Sequence, residues 1–187
     1  MKLMNCRRVT PGRPISFSAA VLTALTLLLT GCGGEEKNRD YAIPHTLCGT
    51  AVDSEALAPF LPAGQKITVK DRSYPGTKGC QVIVDGVLIV TTVQMWVEEG
   101  KTTAFVAARQ SFDTPDRSAD SGRFQYSGHE AFGKTRGCLD TKYKQELYAV
   151  IQASGSKHRD PEAMKHLIVS FTKEVEESDE CRTGATR

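Results

Sequence analysis

The first 31 residues do not belong with the rest, and that division sets the length, charge and cysteine supply left for folding. Lys2, Arg7, Arg8 and Arg13 precede an apolar run from Ala19 to Leu29, with no acidic residue among them. A basic start, a short apolar stretch and small residues at its end have the form of an export signal. The run falls short of the ~20 apolar residues that span a bilayer as a helix. It closes on Leu29-Thr30-Gly31-Cys32, which has the pattern of a bacterial lipobox. That pattern places diacylglycerol on the Cys32 thiol and cleavage after Gly31, and it leaves the new amino group open to acylation.

Losing four basic residues and no acidic one takes the formal charge from +2 to −2. The remaining chain has no basic block, so it offers nucleic acid no electrostatic footprint. Cys6 leaves with the signal and Cys32 is consumed by lipid. Cys48, Cys80, Cys138 and Cys181 remain. An even number in an exported domain reads as two disulfides, with three possible connectivities. Metal binding fails on spacing, since no two of the four form a CxxC knuckle. Sequence neighbourhood favours Cys48 with Cys80 and Cys138 with Cys181. Each bridge would tie one end of a proposed half of the domain to its central strand, and since Cys48 precedes the first helix and Cys181 follows the last, each would clamp a helix across the sheet. Direct pairing of Cys80 with Cys138 competes, because the two sit in similar surroundings.

Residues 32–43 are polar at first and read as a flexible tether. A single domain is expected over 44–182, and 183–187 as a disordered tail. Asp53-Ser54-Glu55 starts a short helix carrying Leu57, Phe60 and Leu61, ended by Pro62 and Gly64. Ile67–Lys70 alternates as a strand. Gln81–Val84 and Val87–Val93 flank Asp85-Gly86, the residue pair a type I′ hairpin turn requires. Both runs are apolar at consecutive positions, so both sheet faces are expected to be covered there. Thr102–Phe112 has helical spacing through Phe105, Ala108 and Phe112. Asp113–Gly122 reads as loop. Arg123–Tyr126, Glu130–Gly133 and Glu146–Gln152 read as strands. Asp160-Pro161-Glu162 opens a helix whose stripe is Ala163, Leu167, Phe171 and Val175, widened by Met164 and Ile168.

Thr77-Lys78-Gly79-Cys80 echoes Thr135-Arg136-Gly137-Cys138. The echo suggests two αβββ halves plus a closing helix. The expected class is α+β, an antiparallel sheet of about six strands covered by two or three helices. His45, His129, His158 and His166 lack metal-pair spacing and read as solvated turn or surface residues. No GxSxG elbow, P-loop or cofactor motif is present. Ser127-Gly128-His129 reads as turn chemistry, since neighbours at this spacing rarely face each other productively.

With these residues placed, the pattern resembles a group of actinobacterial exported lipoproteins that carry a domain of unassigned function. The resemblance rests on Leu29-Thr30-Gly31-Cys32, on Leu47-Cys48-Gly49 ahead of a short helix, and on Cys80 through Asp85-Gly86. It continues through Trp96, Gly128–Ala131, Cys138 and the following apolar strand, and Ala163–Ile168 running on to Asp179-Glu180-Cys181. It implies a membrane anchor through Cys32, the cysteine frame and an α+β domain, and it carries over no activity. The expected function is therefore a lipid-anchored, non-catalytic binding or interaction module on the outer face of the cytoplasmic membrane. The alternative is an envelope enzyme, hydrolase-like, with a site assembled from distant segments. A pocket holding His129 or His158 beside a carboxylate would favour the enzyme, and an apolar groove would favour binding.

Overall fold

The computed structural model describes residues 38–184. The export signal over 1–31, Cys32 and the start of the tether lie outside the described residues. Where the tether is described it is not free, because Arg39 donates to the carbonyls of Ala58 and Leu61 at 2.7 and 2.9 Å. The packed chain thus begins five positions before Pro44, the expected start of the domain.

In chain order the elements begin with β1 (Thr46–Leu47), β2 (Thr50–Ala51) and α1 (Ser54–Leu57), the last running into one 3-10 turn over Ala58–Phe60. The first meander is β3 (Ile67–Asp71), β4 (Thr77–Val84) and β5 (Val87–Glu98). After α2 (Thr103–Gln110) comes a second meander of β6 (Arg117–Ala119), β7 (Phe124–Tyr126), β8 (Glu130–Asp140) and β9 (Gln145–Gln152). The chain closes with α3 (Pro161–Glu176) and α4 (Asp179–Gly184). The expected α+β class holds. The main sheet has seven strands, all antiparallel, in the order β3-β4-β5-β9-β8-β7-β6, beside a two-stranded sheet of β1 and β2.

The strand beyond the expected six is β6. Arg117-Ser118-Ala119 has no hydrophobic alternation to announce it and pairs on one side only, with β7. Four helices replace the expected two or three, since α4 holds six residues and reaches Gly184, inside the stretch expected to be disordered. Strand β8 runs on through Cys138. Gly137, at φ +78°, lies within its break in register between Lys134 and Leu139.

The meanders meet at β5 and β9, where Thr92 faces Ile151 and Trp96 faces Leu147. Strand order alone is what two three-stranded halves related by a twofold axis through the sheet would give. The helices do not share that symmetry. On one face α1 and α3 cover Val82, Val90, Ala131, Ala149 and Ile151. On the other, α2 covers Phe132, Tyr148 and Val150, positions that alternate with the first set along their strands.

The α2 face also differs from expectation. Val106 and Ala107 are buried, whereas Phe105 and Phe112 are exposed. The Thr103 hydroxyl donates to the Arg123 carbonyl at 2.9 Å. That contact turns the small side chains toward the broad rings of Phe132 and Tyr148, where the helix can approach closely.

Both disulfides follow the favoured pairing. Cys48–Cys80 closes a separation of 32 positions and Cys138–Cys181 one of 43. A chain-entropy estimate gives about 3–4 kcal/mol for each. The first fixes the β1–β2 lobe to β4. The second fixes α4 to β8, helped by the Trp96 indole donating to Glu180 at 2.8 Å.

Helix α3 starts as its sequence dictates, with Asp160 accepting from the Glu162 and Ala163 amides at 2.8 and 3.3 Å. Met164, Leu167, Ile168, Phe171 and Val175 are its buried apolar stripe. Leu167→Ala should therefore cost about 2–5 kcal/mol. Lys165→Ala, whose partner is the exposed Glu162, should stay within about 0.5 kcal/mol. Urea unfolding of the two variants checks this, and equal effects would contradict the assigned face.

Candidate functional site

Three places in the described domain gather polar or exposed apolar groups in an unusual way. The first is the tip of the β4–β5 hairpin. Asp85 and Gly86 adopt φ +48° and +83°, the left-handed pair of a type I′ turn. The Asp85 carboxylate accepts from the amides of Gln65 and Lys66, at 3.0 and 2.8 Å. Its own amide donates to the Lys66 carbonyl at 2.9 Å. The segment leaving the first helical region is thereby laced to the turn.

From the other side the loop after β9 closes in. The Gly155 amide donates to Ile89, and a Cβ at Gly155 would sit 2.0 Å from the Leu88 carbonyl oxygen. Only glycine fits there.

Beyond this lacing the hairpin leaves two apolar side chains in water. Val87 is 59% and Leu88 37% exposed. They face opposite ways, since Val87 pairs with Val84 and Leu88 with Ile83. A cleft of about 560 Å³ opens on the Val87 side, lined by Pro62, Ala63, Val84, Ile89 and Lys157. A smaller one of about 320 Å³ lies on the Leu88 side, along Lys66, Thr68, Lys70 and Ile83. The expectation that both faces of these strands are covered fails at the hairpin end, because the α2 cluster takes in β8, β9 and only Val93, Met95 and Val97 of β5, leaving the β3–β4 part of its face open.

The second place is the corner around His129. Its Nδ1 lies 3.4 Å from Ser127 Oγ and its Nε2 3.5 Å from Asp113. The three residue types are those of a hydrolytic triad, but the geometry is not. Both contacts exceed the reach of about 2.6–3.2 Å that proton transfer needs. Ser127 is buried, and its hydroxyl also faces the amides of His129 and Glu130 at 3.4 Å each. It closes the turn, as the sequence suggested.

Beside it Glu130 is fully buried and accepts from the Phe112 and Asp113 amides at 3.1 Å each. This carboxylate pins the exit of α2. Sequence reading missed it, because a glutamate opening a strand carries no mark of burial. His158 is not solvated as expected. It packs edge-on against Phe60, with ring centroids 5.3 Å apart. His45 meets Ser54 at 2.8 Å, and His166 is exposed. The clefts at the two sides of the hairpin tip, and those along Arg72–Tyr74 and Pro75–Lys78, are lined by residues other than histidine. Among the described residues no cluster of three histidine, cysteine or acidic side chains could hold a metal.

The third place lies under the start of α2. Lys134 Nζ meets Glu146 at 2.6 Å, and the Tyr148 hydroxyl donates to the Lys101 carbonyl at 2.5 Å. Burial opposes the charge on Lys134, but the hydrogen bond to Glu146 and the neighbouring negative charges outweigh it and hold its pKa above the usual lysine value. Burial pushes the Tyr148 phenol up, against the lowering effect of Lys134. These contacts hold the β5–α2 connection, since the Gly100 amide also donates to Glu146 at 2.9 Å.

No known protein family, curated protein or solved structure matches the chain.

The third cluster carries a pH consequence. Both folded-state pKa values are raised, so the stability they contribute is fully present below the unfolded values, about 10 for tyrosine and 10.4 for lysine. It is lost as pH rises through the folded values. Tyr148→Phe should cost about 1 kcal/mol at pH 8 by removing the hydrogen bond to Lys101. It should also flatten the loss of stability above pH 10, as denaturant titrations across pH would measure. An unchanged alkaline slope would contradict the assignment.

Proposed function

We propose that this chain is a lipid-anchored cell-envelope protein whose domain is a non-catalytic binding module. The observation that carries the reading is the hairpin tip, which presents exposed Val87 and Leu88 beside an apolar cleft at the end of the domain that receives the chain from Cys32. The Asp40 amide donates to Gly64 at 2.9 Å, and the Tyr41 hydroxyl donates to the Pro62 carbonyl. Pro62 itself lines the cleft.

Two disulfides in the domain suit an oxidising compartment. Among the described residues no helix is long and apolar enough to cross a membrane; the Leu29-Thr30-Gly31-Cys32 pattern is what supports attachment through lipid on Cys32. The likeness to actinobacterial exported lipoproteins points the same way. A hydrolase would need an accessible nucleophile beside a base, and the Ser127–His129 corner offers a buried hydroxyl engaged in its own turn.

The anchor is tested by Cys32→Ser in cells fed radiolabelled palmitate. The wild-type chain should incorporate label and partition with membranes. The variant should carry no label and accumulate as unprocessed or released protein. A cleaved, unlabelled variant retained on the membrane as fully as wild type would contradict the proposal.

A further inference from the structure

We infer that the β4–β5 hairpin end seats on the anionic phospholipid leaflet that holds the Cys32 lipid, with Val87 and Leu88 entering the headgroup region and Lys66 and Lys157 meeting lipid phosphates. This rests on the lipidation proposed above and names the partner of the same surface.

Reach decides which end of the domain faces the leaflet. Cys32 and Arg39 are seven Cα steps apart, at most about 25 Å when fully extended. Arg39 is held on Ala58 and Leu61, and Gly64 so close to the turn that a Cβ there would sit 2.6 Å from the Asp85 carboxylate. The limit of the tether is therefore measured from the hairpin tip. The opposite end of the sheet also presents exposed aromatics, Tyr74 and Tyr143. It is separated from the tip by the eight residues of β4, about 25 Å of strand. Seating that end would use the whole tether merely to pass the domain.

Surface chemistry agrees with reach. Val87 and Leu88 point to opposite sides of the tip and present apolar surface on both, a wedge rather than a one-sided patch. Lys157 stands on the Val87 side, and Lys66 and Lys70 on the Leu88 side. Long lysine stems can lie along apolar surface while the ammonium groups reach phosphates. Among the described residues Asp40 and Asp85 are acids at this end, and the tether adds Glu35 and Glu36 beside Lys37 and Arg39. The Asp85 carboxylate is turned inward onto the Gln65 and Lys66 amides. An exposed apolar pair ringed by lysines suits an anionic bilayer surface better than water or an apolar protein partner.

The test uses the full lipidated chain in vesicles of phosphatidylglycerol and phosphatidylcholine, with bromine on the upper acyl carbons as quencher. Leu88→Trp adds a fluorophore to the tip, and Tyr74→Trp adds one to the far end. The wild-type chain gives the background from Trp96. Most of the fluorescence added by Leu88→Trp should be quenched, and that added by Tyr74→Trp should not. Tryptophan itself favours the interface, and the matched pair controls for this. Lys66→Glu with Lys157→Glu in the Leu88→Trp chain should reduce quenching, each lost lysine weakening seating about fivefold or more.

An unquenched Leu88→Trp on a lipidated chain, or quenching of Tyr74→Trp instead, would overturn the inference. Mass spectrometry of the same sample separates this from failure of the anchor. An unmodified Cys32 would remove the anchoring proposal and this one together.

Discussion

The Asp85 carboxylate joins parts of the chain that are otherwise distant in sequence. It closes a left-handed turn and at the same time accepts from two backbone amides that follow the first helical region. Hydrogen bonds to a carboxylate are charge-assisted, but water at this exposed turn weakens them. Their larger effect is positional. They bring Gly64, and with it the backbone from Arg39 to Tyr41, to the tip of the hairpin. The place where the domain receives the chain from Cys32 is therefore also the place where it exposes apolar surface.

The remaining architecture keeps that tip rigid. Cys48–Cys80 fixes the β1–β2 lobe to β4, and Gly155 brings the loop after β9 against Leu88. Helices α1 and α3 cover one face of the sheet, and on the other the α2 cluster takes in β8, β9 and the later part of β5. The first meander is consequently clamped on one side and, over β3 and β4, open on the other. Buried polar groups serve this framework: Gln94 donates to Thr50 at 2.7 Å, and Glu130 holds the exit of α2. The residues that looked most like chemistry in the sequence, Ser127 and His129, belong to the framework as well.

Much of the fold was legible because local signals agreed with tertiary packing. Asp85-Gly86 specified its turn, Asp160-Pro161 its helix start, and the stripe through Leu167 and Phe171 its buried face. The cysteine neighbourhoods pointed to the observed pairing. What was not legible depended on contacts between segments. Strand β6 has no alternation and exists by pairing with β7. Phe105 and Phe112 have helical spacing, yet the sheet beneath α2 accepts Val106 and Ala107 instead. The site had one trace in sequence. Two apolar residues follow directly after Asp-Gly, where a solvated tip needs none, and only the tertiary structure shows that Val87 and Leu88 stay 59% and 37% exposed.

The central claim is that one end of this domain works against the membrane, and amide hydrogen exchange on the lipidated chain tests it without substitutions. Exchange is compared between detergent and vesicles containing phosphatidylglycerol. Slower exchange in vesicles is expected over residues 62–68 and 84–90, with the β8–β9 turn at 140–144 unchanged. Slowing confined to 140–144, or none at either end while Cys32 carries lipid, would contradict the account.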